Sequence, residues 1–172
     1  MPIYPTFLAK AFDGLRYRSG FFFCTLKWRL VGLRMGRSVQ IYSHVIIHDA
    51  ARVSVGDNSS ILSFTVLFGS GKITIGRDVL IASHCSIFSI THRTDALERG
   101  QLFRGTRLMA PVVIEDNVWI GTGVRILPGV TIGANTIVGA ESVVNRSLPS
   151  GVVAAGVPVK VLKGLNATLA GT

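Results

Sequence analysis

The sequence predicts an all-β chain wound as a parallel β-helix of about five triangular coils. Three observations predict it. First, a branched aliphatic residue returns at every sixth position at Ile114, Ile120, Ile126, Ile132, Val138 and Val144. That period fits neither a helix, at about 3.6 residues, nor a strand, at about 2. Second, the same spacing orders three earlier sets: Met35, Ile41 and Ile47; Val55, Ile61 and Leu67; Ile75, Ile81 and Ile87. Third, another strand former often stands two positions earlier (Val53, Ile73, Val112, Val118, Val124, Val130), and a small residue often follows (Gly36, Gly56, Gly76, Ala82, Gly121, Gly133, Gly139). The former suits short strands. The latter suits tight corners that need unusual backbone angles. A β-sandwich also turns often, but would not hold a strict period of six from Ile114 to Val144.

In chain order, residues 1–34 read as a basic, apolar N-terminal cap, expected to be helical. Residues 1–37 carry Lys10, Arg16, Arg18, Lys27, Arg29, Arg34 and Arg37 against Asp13 alone, interleaved with Phe21, Phe22, Phe23, Leu26, Trp28, Leu30 and Val31. Besides capping the first coil, such a segment suits peripheral contact with an anionic membrane surface. Residues 35–165 form the β-helix. Between its first sets the step is eight rather than six, and a bulged corner near Val53-Ser54 and Ile73-Thr74 would absorb each slip. The period then stops after Ile87 and resumes at Ile114. The stretch 88–111 is polar and non-periodic, and is expected as a loop extruded near 92–111. Long loops on rigid scaffolds are where function concentrates. Residues 166–172 read as a short tail.

The length, 172 residues, suits one domain with a sizeable core. No apolar run reaches membrane-span length. The start MPIYPTFLAK lacks a signal-peptide layout, so the expected location is the cytoplasm, with the inner face of the membrane as the site of any peripheral contact. Cys24 and Cys85 do not make a disulfide framework and read as buried thiols. The formal charge of +9 would suit nucleic acid, but no module for binding it is present.

Among the loop's charged residues, Arg93, Asp95, Glu98, Arg99, Arg104 and Arg107, stands His92, at the loop's root. A histidine held by a rigid coil suits a general base, because its reference pKa lies near neutrality; a surface histidine without a role is the plainer alternative. His44, Phe64 and His84 lie twenty residues apart and should stack in one column. His48 follows Ile47 at a corner and reads as exposed.

The region from Pro111 to Leu165, PVVIEDNVWIGTGVRILPGVTIGANTIVGAESVVNRSLPSGVVAAGVPVKVLKGL, resembles the hexapeptide-repeat acyltransferases, in particular the maltose, galactoside and polysaccharide O-acetyltransferases. The succession NVWIG, PGVTIG, VGAESVV and GVPVK carries the resemblance, and the repeat extends back to about Gly36. It implies a left-handed β-helix, a homotrimer with active sites between subunits, and acetyl-CoA as donor with no metal. His92, in ITHRTD, matches the catalytic base. Trp119, Thr122, Ala140, Asn145, Arg146, Lys160 and Lys163 match the acetyl-CoA contacts, the lysines on the adenosine phosphates. Each also has a plain alternative: Trp119 in subunit packing, the lysines as a solvated face. Where galactoside-type relatives carry an acceptor-binding asparagine, this chain has Ser63-Phe64, and it has Ser83-His84 where the family favours Pro-Asn. His84 is therefore a candidate acceptor contact; Arg93 and Asp95, on the loop, are two more, and Asp95 or Glu98 is a candidate partner of the imidazole. The acceptor is expected to be a sugar or sugar conjugate, anionic to match the loop arginines.

Three alternatives remain open. An amino-sugar N-acetyltransferase shares the coil and the histidine. A gamma-type carbonic anhydrase would use histidines as zinc ligands, but the spacings of His44 to His48 and His84 to His92 do not match that family's pair. A non-catalytic scaffold would have no use for His92 with Lys160 and Lys163.

Overall fold

The computed structural model describes residues 25–165. Three parallel sheets run along a triangular prism. The first face stacks Arg34–Met35, Val53–Val55, Ile73–Ile75, Val112–Ile114 and Thr131–Ile132. The second stacks Gln40–Ile41, Ser60–Ile61, Leu80–Ile81, Trp119–Ile120, Ile137–Val138 and Val152–Ala155. The third stacks Ile46–His48, Val66–Phe68, Ser86–Phe88, Arg125–Ile126 and Val143–Val144. Each strand pairs one coil above itself, Ile61 with Ile81 and Leu67 with Ile87. The six-residue aliphatics therefore fall on one axis: Ile41, Ile61, Ile81, Ile120 and Val138 are fully buried. Burial of each such side chain is worth roughly 1.5–3 kcal/mol, and their stacking is what makes the period a fold.

A sixth turn extends the five that the period marks. Leu148 bridges to Ile132, Ala154 pairs with Val138, and the Val159 amide donates to the Val143 carbonyl at 3.0 Å. The step from Val144 to Leu148 is four residues, so this turn drops out of a count by sixes. An antiparallel strand, Lys160–Gly164, then folds back along Val152–Ala155 and closes the second face.

The corners correct one expectation. Glycines following the aliphatics are not in left-handed conformation; those φ values fall two residues later, at Ser38, Asn58, Asp78, Asn117 and Asn135 on the first corner. The glycines are there for close approach instead. A Cβ on Gly56 would stand 2.6 Å from the Gly76 carbonyl carbon, which no real Cβ tolerates. The eight-residue steps are absorbed at the third corner, by the 3₁₀ turns Ala50–Arg52 and Gly69–Gly71.

Of the expected N-terminal cap, only its end is described: residues 25–30 are helical. Trp28 joins the core at 8% exposure, with Lys27 Nζ 4.7 Å from its ring centroid. Residues 1–24, including Cys24, and the tail 166–172 lie outside the described residues. Among the described residues, no helix is long and apolar enough to cross a membrane.

Candidate active site

The long loop leaves the prism at the third corner, after Ser86–Phe88. It is more ordered than its composition suggests. Ile90–His92 and Arg107–Met109 form an antiparallel ribbon with Ile90 opposite Met109, Thr91 opposite Leu108 and His92 opposite Arg107. The β-branched pair Ile90-Thr91 was the available signal at one end of the loop, and Arg107–Met109 carried none. His92 stands exposed near the end of this ribbon. Among the described residues, no group hydrogen-bonds to its ring.

Asp95 does not serve as its partner. The Asp95 carboxylate accepts from Arg93 Nε and Nη2 at 2.9 and 2.7 Å and from Arg99 Nε at 2.7 Å. The hydrogen bonds from Arg93, then those from Arg99, lower its pKa from 3.8 to about 2. Arg93 and Arg99 thus clamp Asp95 from either side along the loop, next to a fully buried Ala96. Glu98 is exposed, with no ion pair among the described residues.

The donor candidates divide among three places. Thr122 and Ala140 sit at the second corner, one coil apart, and are exposed. The Thr122 carbonyl accepts from the Glu141 amide at 2.8 Å, yet the amides of Thr122 and Ala140 donate to no acceptor among the described residues. An extended chain carrying amide groups fits such a ladder, because each outward N–H needs an acceptor that the prism does not supply. Trp119 lies on the second face, 51% exposed, and lines with Leu80, Ile137 and Leu165 a groove of about 390 Å³. Lys160 and Lys163 project from the closing strand on the same face, opposite Ala155 and Val153. Asn145 and Arg146 are exposed at the third corner, two coils above the root of the loop.

His84 shares the second corner with Thr122 and Ala140; the Ser83 carbonyl accepts from the Gly123 amide at 3.0 Å. It has φ 62° and stacks on Phe64, ring centroids 5.0 Å apart, while Phe64 stacks on His44 at 4.9 Å. The expected column is present. A second one, His48 over Phe68 over Phe88 at 4.6 and 5.2 Å, runs along the edge of the third face. Its twenty-residue spacing was legible, but placing His48 at a corner concealed it. Among the described residues no three His, Cys, Asp or Glu side chains gather as a metal site would require. Cys85 is buried and its thiol is pushed up to about 11 by desolvation, which suits packing rather than nucleophilic attack.

Residues 111–146 match the model for bacterial transferase hexapeptide (six repeats). The galactoside O-acetyltransferase of Escherichia coli K12 is 32% identical over 134 residues, covering 77% of this chain and 64% of its own length. The protein of the same organism named putative colanic acid biosynthesis acetyltransferase WcaF is 34% identical over 135 residues, covering 78% and 71%. The hexapeptide-repeat acetyltransferase VCA0836 of Vibrio cholerae, solved with acetyl-CoA, superposes with a TM-score of 0.76 at 31% identity, covering 81% of this chain and 75% of that one. The chain spans 44–64% of the length of three curated relatives, the galactoside enzyme among them.

Proposed function

The chain belongs to the hexapeptide-repeat acetyltransferases, and from that premise we propose that it transfers the acetyl group of acetyl-CoA to a sugar hydroxyl in surface polysaccharide assembly, with His92 as general base. One observation carries this reading: an exposed histidine on an extruded ribbon stands one corner round from an open ladder of backbone amides at Thr122 and Ala140. The first is suited to take a proton, the second to hold pantetheine.

In the transfer, an imidazole nitrogen of His92 takes the hydroxyl proton as the sugar oxygen bonds to the thioester carbonyl carbon. The resulting oxyanion collapses, the C–S bond breaks, and the departing thiolate receives that proton. Backbone N–H groups lining the cleft stabilise the oxyanion. Trp119 flanks the donor's path, Lys160 and Lys163 meet its phosphates, and Asn145 and Arg146 belong to the neighbouring corner. On this reading the complete site forms between copies, in a homotrimer, which the placing of His92 and Thr122 on either side of the third face supports. The polysaccharide role draws on the similarity to WcaF.

Thiol release measured across a panel of sugar hydroxyl and amine acceptors tests the reading. Transfer should occur to a hydroxyl, and His92→Ala should lower it roughly 10²–10⁴-fold with acetyl-CoA still bound. Full activity in that variant, or no acetyl-CoA binding at millimolar concentration, overturns it.

A further inference from the structure

The loop carries four arginines, and the structure sorts them. Arg93 and Arg99 are committed to Asp95. Arg104 and Arg107 are exposed and donate to no acceptor among the described residues. Arg104 lies on the 3₁₀ turn Phe103–Gly105, beyond the ribbon. Arg107 lies within the ribbon, in register with His92. Directly opposed residues of an antiparallel pair leave on the same face with Cβ atoms about 4.5–5.5 Å apart. The proposed base and an uncompensated guanidinium therefore face the same space.

We propose that Arg107 binds an anionic group of the acceptor, a phosphate or carboxylate borne close to the hydroxyl that His92 deprotonates. This rests on the reading of His92 as the base and gives that reading a substrate class. A planar guanidinium fork matches two oxygens of either anion. The short reach from ribbon partner to ribbon partner places the anion on the sugar that reacts rather than on a remote part of the acceptor. Arg93, suggested by sequence for the same task, is held by Asp95 at 2.7 Å; Arg107 takes its place.

The test is thiol-release kinetics with a neutral hexose, a hexuronic acid and a hexose phosphate, read as the ratio of kcat/KM for the anionic acceptor over the neutral one. The wild-type ratio should lie well above one. Arg107→Met should lower it roughly tenfold to hundredfold, the worth of one charge-assisted hydrogen bond. Arg107→Lys should keep part of it, and Arg104→Met should leave it at the wild-type value. Whichever anionic acceptor loses more in Arg107→Met identifies the anion. A wild-type ratio near one, or an Arg107→Met variant that lowers neutral and anionic acceptors alike, overturns the inference. If that happens while transfer still depends on His92, the reading of the base stands and only the role of Arg107 falls. Transfer that survives His92→Ala, or transfer to no acceptor at all, overturns both.

Discussion

Asp95 meets Arg93 side-on, its two carboxylate oxygens accepting from Nε at 2.9 Å and Nη2 at 2.7 Å. Arg99 adds a third bond, so one carboxylate ties together the residues that follow His92. Asp95→Asn should loosen this clamp. Limited trypsin digestion should cut faster at the loop arginines, and acetyl transfer should fall by about tenfold through misplacement of the base. Equal cutting rates would show that the clamp does not order the loop. The clamp is also pH-sensitive. Because the folded carboxyl is held at about 2 against an ordinary 3.8, its contribution is complete above the ordinary value and is lost as pH falls toward 2. Pepsin nicking of the loop should rise across that window in wild type and be flat in Asp95→Asn.

Gly56→Ala should destabilise the prism by about 1–3 kcal/mol through overpacking, because the added Cβ would sit 2.6 Å from backbone atoms of Gly76. Thermal unfolding should show this as a lower Tm. Gly164→Ala, where a Cβ meets nothing within 4 Å, should leave Tm nearly unchanged. If both substitutions behave alike, close approach is not why glycine stands at the corners.

Replacing Lys160 and Lys163 together by Met should weaken acetyl-CoA binding about tenfold to hundredfold and leave acetyl-pantetheine binding as it was. Calorimetric titration of both donors checks this. A matched loss would mean that the closing strand supports the fold rather than the adenosine phosphates.

Cys85 should resist alkylation in the folded protein. Its thiol is buried and pushed up to about 11, and its Sγ lies 3.2 Å from the Gly121 carbonyl. Mass spectrometry after iodoacetamide at neutral pH should find it unmodified until denaturant is added. Rapid modification of the native protein would contradict the packing described.

What the sequence disclosed and what it concealed have separate physical causes. A buried axis imposes a period, so Ile61, Ile81 and Ile120, all fully buried, announced themselves by spacing. The His44, Phe64 and His84 column followed from the same arithmetic, since twenty residues there make one coil. The sixth turn was concealed because Val144 to Leu148 breaks the step. Corner glycines were visible but misread: spacing cannot tell a residue needed for its φ from one needed for its missing Cβ. The partners of Asp95 and the pairing of His92 with Arg107 had no period to reveal them. Both depend on how a non-repeating segment folds back, which is set by ion pairs and ribbon register rather than by the core. The candidate donor residues were named from resemblance; their separation onto a face and two corners required coordinates.

That separation bears on genetics. The ribbon leaves the third corner and the amide ladder stands on the second, with a strand-wide face between them. On the reading that these corners meet between copies, a defect in either one is local to half a site. Two impaired alleles, one lacking His92 and one weakened in acetyl-CoA binding by loss of Lys160 and Lys163, would then complement each other when co-expressed. Mixed assemblies would contain some junctions where an intact ribbon faces an intact donor strand.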